Sequence, residues 1–299
     1  MVKFVAEVSS NHHADLARCL DFVDTAAQIG CDAVKFQLFR VRELFAPQRL
    51  ERSAEHRARE AWELPVRFLM PIAERCRQRK IQFYCTPFYR DAVAELEPLV
   101  DAYKISSYEL LWTDLLAACA RTRKPVILST GMATWLEVDG AVHTLRSNGC
   151  DKLTLLHCVS NYPTSPGECN LAAIHSLRKR YRCDSGWSDH SASPAVLMRA
   201  VHRWRSDMIE FHLDLDGTGP EYASGHCWLP ARIAELIRDT HVGEQCDGTD
   251  DKQPVAGEAD EALWRADPVD GLRPLQAVRD QWRSEDLVYA GEPNGQSAE

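Results

Sequence analysis

Gly186-Trp187-Ser188-Asp189-His190 and, one helix-length later, Met208-Ile209-Glu210-Phe211-His212-Leu213 decide how this chain is read. Each run reads as a short β-strand that ends on a histidine, and residues 194–203 between them read as a helix. A strand, a helix and another strand imply parallel pairing through a right-handed crossover. Worked outward, the same alternation fills the chain. Strands are expected at 3–8, 33–36, 81–85, 102–105, 126–128, 153–157, 184–187 and 208–211. Helices are expected near 14–29, 66–79, from 89 onward, and near 113–121, 135–147, 172–180, 194–203 and 229–240; a long charged segment, 40–63, precedes the second of them. Eight strand–helix units in about 240 residues fit a closed (β/α)8 TIM barrel. No Gly-x-Gly-x-x-Gly follows a strand, which argues against an open dinucleotide-binding sheet.

The barrel is expected over residues 1–243 and an acidic linker and C-terminal tail over 244–299. The tail holds 14 of the 44 acidic and 5 of the 35 basic residues, so it carries the whole net charge of −9 and leaves residues 1–243 balanced. Leu263, Trp264, Leu272, Leu275, Val278 and Trp282 give it enough apolar surface to dock partly on the barrel. No segment interleaves basic and aromatic residues, which argues against nucleic acid as a partner. No apolar run approaches the roughly 18–20 residues that span a bilayer. The first residues open directly on a strand pattern without a signal-peptide layout, so a cytoplasmic protein is expected. Eleven cysteines with no C-x-x-C pair read as buried apolar filler in a reducing compartment.

In this fold chemistry sits at the C-terminal strand ends. Those ends carry, in order, Glu7; Lys35; Thr86; Lys104 with Ser107 and Glu109; Ser129-Thr130-Gly131; His157 with Ser160 and Tyr162; Ser188 with His190; and His212. The chain has only eight lysines, and two of them lie here. A lysine inside a barrel needs an anionic partner. That partner is either an internal carboxylate, Glu7 or Glu109, or an anionic ligand. The hydroxyls suit phosphate or carboxylate oxygens, and the Thr130-Gly131 turn offers backbone N–H groups to an anion. Two histidines on neighbouring strands suit a divalent metal with room left for substrate. A metal-assisted enzyme acting on a phosphorylated or carboxylated small molecule follows.

Seven ordered motifs then carry a resemblance: Ala6-Glu7-Val8-Ser9-Ser10-Asn11-His12, Val34-Lys35-Phe36-Gln37, Cys85-Thr86-Pro87-Phe88, Tyr103-Lys104-Ile105-Ser106-Ser107-Tyr108-Glu109, Pro125-Val126-Ile127-Leu128-Ser129-Thr130-Gly131-Met132, His157-Cys158-Val159-Ser160-Asn161-Tyr162-Pro163 and Trp187-Ser188-Asp189-His190. Together they resemble the N-acetylneuraminate (sialic acid) synthase family over about residues 3–240. The resemblance implies condensation of phosphoenolpyruvate with an aldehyde sugar to give a nonulosonic-type 2-keto acid, with release of phosphate by C–O cleavage. It implies a divalent cation, commonly Mn2+ with Mg2+ or Co2+ as alternatives, bound by His190 and His212. Lys35, Thr86, Lys104, Ser107, Ser129, Ser160 and Ser188 would hold phosphoenolpyruvate. Glu7 would handle water or a proton, Glu109 and Tyr162 would meet the acceptor, and a homodimer is implied.

The chain also departs from the pattern. Phe211 replaces a usual basic residue, no arginine follows Asp216, Glu221 stands for an aspartate near the metal, and Ala14 replaces a glycine. The family's C-terminal antifreeze-like domain is not recognisable in 244–299, which leaves the acceptor open. Arg40, Trp187, Trp228 and the segment 264–273 are candidates to line it. Two other readings fit the same residues: a metal-dependent aldol or retro-aldol enzyme for a pyruvate-type 2-keto acid, and a non-catalytic barrel that only binds.

Overall fold

Period-two alternation along each strand sends side chains to opposite faces, and here it divides the interior into layers. In the computed structural model, which describes residues 1–289, eight parallel strands close into a barrel in sequence order. They are β1 Lys3–Glu7, β2 Ala33–Leu38, β3 Gln82–Pro87, β4 Ala102–Ile105, β5 Val126–Ser129, β6 Leu153–Cys158, β7 Asp184–Asp189 and β8 Met208–His212. Pairing of β1 with β8, Glu7 opposite His212, closes the ring. Val5, Ala33, Tyr84, Ala102, Ile127, Leu156 and Met208 pack together as an apolar floor. Two residues further along the same strands come Glu7, Lys35, Thr86, Lys104, Ser129, Cys158 and Glu210. One apolar layer is thus followed by one polar layer.

The outward positions carry the main core. Phe4, Val34, Phe36, Phe83, Tyr103, Ile105, Leu128, Leu155, Trp187, Ile209 and Phe211 are buried against the surrounding helices. Those helices include Leu16–Gln28, Leu69–Arg79, Thr113–Arg121, Trp135–Ser147, Ala173–Tyr181 and Pro230–Cys246. Local chemistry fixes their starts. Asp15 accepts from the Ala17 N–H, and Thr134 with Glu137 forms a capping box. Segment 40–63, which has no clear periodicity, folds as short turns of helix at Val41–Leu44, Pro47–Arg52 and Ala54–Ala58. Ala14 sits at a φ of +51°, in the left-handed region that favours glycine, which explains the glycine of the related pattern.

The chain divides into two compact units, Met1–Cys246 and a second beginning at Asp247. In the second, helices Ala259–Leu263 and Gln276–Tyr289 are joined by a turn in which Asp267 accepts from the backbone of Val269 and Gln276. Trp264 and Trp282 meet at 6.3 Å between ring centroids. Residues 290–299, the end of the expected tail, lie outside the described residues. No described helix is long and apolar enough to cross a membrane.

Glycine is required within β7. A Cβ on Gly186 would overlap the Met208 carbonyl oxygen and meet Leu156 Cδ2 at 3.0 Å, so β7 and β8 can approach only without it. Gly186→Ala is expected to lower stability by about 3 kcal/mol, the upper part of the usual overpacking range. The midpoint of urea unfolding measures it.

Candidate active site

The polar layer is an ion network. Lys35 Nζ contacts Glu7 Oε2 and lies 3.5 Å from Glu210 Oε1, and Lys104 Nζ lies 3.4 Å from the same Glu210 oxygen. All four side chains are almost wholly buried. Ser188 Oγ donates to Glu210 Oε1 at 3.1 Å. Gln37 Nε2 and the Ser9 N–H both donate to Glu7 Oε1, at 2.7 and 3.0 Å. Burial disfavours charge on every member, and the partners decide the outcome. Burial would raise the Glu210 carboxyl, but Lys104 and Lys35 outweigh it and hold the group down at about 2. Burial likewise opposes Lys35, yet Glu210 and Glu7 keep its pKa raised. At Lys104 burial wins and lowers it. The internal partners are therefore Glu7 and Glu210. Glu109 is not among them: it takes a hydrogen bond from Ser106, and burial raises its carboxyl against that bond and the charge of Lys104.

Above the network the hydroxyls gather. Lys35 Nζ donates to Thr86 Oγ1 at 3.5 Å. Ser107 Oγ meets Cys158 Sγ at 3.2 Å, so Cys158 belongs to the site rather than to apolar filler. A Cβ on Gly131 would meet Ser160 Oγ at 2.6 Å, Cys158 Sγ at 2.8 Å and Ser107 Oγ at 2.9 Å, so only glycine lets the three converge. The buried hydroxyls of Ser129 and Ser160 have no hydrogen-bond partner. The Thr130-Gly131 turn does not offer its N–H groups to a ligand: Thr130 N donates to the Leu156 carbonyl and Gly131 N to Ser107 Oγ. His157 also leaves the site. It faces outward, with Nε2 on the Cys169 carbonyl at 2.9 Å and its ring 5.3 Å from Trp187.

The rim beyond β7 and β8 holds three imidazoles and an aromatic ring. Tyr162 lies 4.1 Å from the His190 ring and 5.0 Å from that of His226; the His212 ring is 5.3 Å from His190 and 4.7 Å from His226. His190 Nδ1 bonds the Val159 carbonyl at 2.7 Å, which leaves Nε2 as the lone-pair nitrogen. Burial and neighbouring His212 push His190 down to about 3, so the ring is neutral as a ligand must be. Glu221 Oε2 lies 3.0 Å from His212 Nδ1 and 3.6 Å from His226 Nε2, while Ser9 Oγ donates to Oε1. The longer side chain of Glu221 thus still delivers its carboxylate among the histidines.

The loop that carries Glu221 is firmly held. Asn11 Nδ2 donates to the Leu213 carbonyl, and Asn11 Oδ1 accepts from the Glu221 N–H. Arg18 bridges Asp214 and Asp216 at 2.9 and 2.8 Å. Trp187 and Trp228 are not acceptor-lining residues. Both are buried, and their indoles donate to the two oxygens of Asp189 at 2.9 and 3.0 Å. Arg40 lies at the β2 side, paired with Glu43 and Glu95 over the Tyr89 ring.

The NeuB family model matches residues 22–252. The chain belongs to the NeuB family. It is 32% identical to an uncharacterized protein of Methanocaldococcus jannaschii over 86% of this chain and 75% of that one. It is also 32% identical to the N,N'-diacetyllegionaminic acid synthase of Campylobacter jejuni, over 73% of this chain and 70% of the relative. The crystal structure of the N-acetylneuraminic acid synthetase of Leptospira borgpetersenii superposes with a TM-score of 0.77 at 30% identity, covering 87% of this chain and 90% of that one. Members of the family condense phosphoenolpyruvate with a sugar acceptor, and this chain is an enzyme of that kind. The family uses a divalent metal, and His212, Glu221, His226 and Cys227 offer donor atoms all within 4.8 Å of one another. Burial lowers His190 and His226, while Glu221 raises His212; lone-pair nitrogens beside a carboxylate fit such a cation.

Sequence reasoning missed Glu210 and His226. Glu210 was findable, since it lies two residues before His212 and two after Met208, on the inward face of β8. His226 sits in irregular chain with no periodicity to betray it. Among the described residues Glu210 is the one carboxylate within ion-pair distance of Lys104. Glu210→Ala is therefore expected to lower stability by about 3–5 kcal/mol, the usual effect of stranding a buried charge. Adding Lys104→Met to Glu210→Leu should recover most of the loss, and a double-mutant cycle in urea reads the coupling.

Proposed function

We propose that the chain joins phosphoenolpyruvate to the aldehyde carbon of a sugar, giving a 2-keto-3-deoxy acid of nonulosonic type and inorganic phosphate. One observation carries the residue assignment: two buried ammonium groups, Lys35 and Lys104, share an interior layer with the buried, unpartnered hydroxyl of Ser129, and the equally unpartnered hydroxyl of Ser160 lies just above. Unpartnered hydroxyls beside two ammonium groups suit a small anion whose oxygens accept from both. Lys35, Thr86, Lys104, Ser107, Ser129, Ser160 and Ser188 bind the carboxylate and phosphate of phosphoenolpyruvate. The names of the related synthases, for legionaminic and sialic acids, support an amino-sugar aldehyde as the partner.

In the reaction a bond forms between C3 of the enol and the aldehyde carbon, and the aldehyde oxygen takes a proton to become a hydroxyl. Water adds to C2, the C2–O bond to phosphate breaks, and the oxygen from water remains as the ketone. Glu7, beside Lys35 in the interior, takes a proton from that water. Glu109, whose carboxyl burial raises, meets the acceptor at its aldehyde end as a proton donor. Tyr162 lines the acceptor side. A divalent cation, taken as Mn2+, held by His190 and His212 beside Glu221 would supply Lewis-acid polarisation of the aldehyde oxygen.

Charge balance gives the reading an additional consequence. The two ammonium groups already face two carboxylates, Glu7 and Glu210. Phosphoenolpyruvate adds negative charge to a balanced set, so its binding should tighten when a divalent cation is present. Titration calorimetry with phosphoenolpyruvate, with and without Mn2+, checks this coupling. The activity is tested by phosphate release from phosphoenolpyruvate with a panel of amino-sugar aldehydes. Release that requires an acceptor, stops after chelation and returns with Mn2+ is expected; no release with any acceptor overturns the reading. Label in the bridging oxygen should leave with phosphate. Lys104→Met should lower kcat/KM for phosphoenolpyruvate about 100-fold, as expected for a lost charge-assisted contact to the anion.

A further inference from the structure

The metal reading above rests on His190 and His212. A third imidazole stands beside them, and its condition in the fold is unusual. His226 is 4% exposed. Its Nδ1 is buried without a hydrogen-bond partner. Its Nε2 lies 3.6 Å from Glu221 Oε2, beyond hydrogen-bond reach. A buried imidazole nitrogen without a hydrogen-bond partner is costly. The Glu221 carboxylate faces only the other nitrogen. The neighbouring rings of His212 at 4.7 Å and Tyr162 at 5.0 Å provide packing but no bond to either nitrogen.

Yet the position is built with care. Trp228, two residues on, is held at three points. Its N–H donates to the His212 carbonyl at 2.8 Å, its carbonyl accepts from Asp214 N at 2.9 Å, and its indole donates to Asp189. The chain thus returns alongside the end of β8 and delivers His226 to the rim beside His212 and Glu221. Cys227, between them, turns its Sγ to the amide of Asn11 at 3.7 Å. His226 Nε2, His212 Nδ1 and Glu221 Oε2 are left facing one small space.

We propose that His226 is a direct ligand of the divalent cation, so that His190, His212 and His226 hold it together with Glu221. The inference depends on the site being a metal site at all, and it adds a ligand that the two-histidine reading does not contain. Its chemical consequence is selectivity. Imidazole nitrogens favour borderline cations such as Co2+ and Zn2+, whereas oxygen-rich sites suit Mg2+. A site with three imidazoles should retain Co2+ where a two-imidazole site releases it.

The test measures binding rather than turnover. Chelator-stripped full-length protein is titrated calorimetrically with Co2+, alongside His226→Gln, His226→Ala and His212→Ala, with far-UV circular dichroism confirming the fold of each. Loss of about tenfold or more in Co2+ affinity in both His226 variants, with a changed visible Co2+ spectrum, is expected for a removed ligand. Wild-type affinity and an unchanged spectrum in both variants would overturn the proposal and leave the two-histidine site standing. Absence of Co2+ binding by the unsubstituted protein would instead remove the metal reading itself. A second measurement needs no variant. Pulsed electron paramagnetic resonance on the Mn2+ complex of the unsubstituted protein counts coupled imidazole nitrogens; three rings support the assignment and two exclude it.

Discussion

One carboxylate, that of Glu210, holds the interior of this barrel together. It lies 3.5 Å from Lys35 and 3.4 Å from Lys104 and takes the Ser188 hydroxyl as well. Two ammonium groups within one barrel repel each other, and a low-dielectric interior magnifies the repulsion. The shared carboxylate makes their coexistence possible. It also explains why the layer below is so plainly apolar. Val5, Tyr84, Ile127, Leu156 and Met208 exclude water from beneath the charges and give the floor a packing stability that the charged layer cannot provide. Charged networks of this kind are poor sources of stability, so the anion proposed for this layer, rather than stability, gives the network its use.

β8 is the element through which the two halves of the site communicate. Its inward residues, Met208, Glu210 and His212, belong in turn to the floor, the ion network and the histidine rim. Beyond it the chain leaves as the Asp214–Glu221 loop and comes back at Trp228. Asn11 and Arg18 fasten this excursion to the first strand–helix unit, and Asp189 fastens its return to β7. Glu221 and His226 therefore stand beside His212 on a braced loop, as the proposed metal site requires. Phe211, where related sequences carry a basic residue, points outward into the helix-packed core. That departure alters the wall behind the site and leaves its lining untouched.

How much of this the sequence reveals follows from what its periodicities can encode. The barrel is legible because eight short apolar runs are separated by helical ones, and each run begins within three residues of the observed strand. Lys35, Thr86, Lys104, Ser129 and Ser188 are legible because strand parity places them inward, one step above an apolar residue. Glu210 obeys the same parity and escapes notice only because His212 dominates the reading of its strand. For the lysines the sequence offers an anionic ligand or, as internal partners, Glu7 or Glu109. Parity favours Glu7 and Glu210, since Glu109 lies beyond β4 in a short 3-10 turn, Ser107–Glu109, where alternation no longer applies. His157 shows the opposite error: it ends a strand but faces outward, and Cys158 beside it is the inward residue. What lies outside regular structure is not legible at all. His226 and the indoles that hold Asp189 owe their places to long-range hydrogen bonds that no local pattern records.

The departures from the family pattern lie close together in space, and that proximity has a physical sense. Glu221 in place of aspartate adds a methylene and moves the carboxylate outward from its backbone. Gly219 allows the turn that accommodates it, since a Cβ there would collide with Asn11 and come within 2.6 Å of Asp214 Oδ1. The hydrogen bonds of Trp228 to His212 and Asp214 then bring His226 back beside the rim. The longer carboxylate lies between two rings, 3.0 Å from His212 Nδ1 and 3.6 Å from His226 Nε2, the place that the proposed third ligand requires of it. Substituting Glu221 by aspartate should therefore not restore a family-like site in this chain, because the shorter side chain would withdraw the oxygen that now lies between His212 and His226.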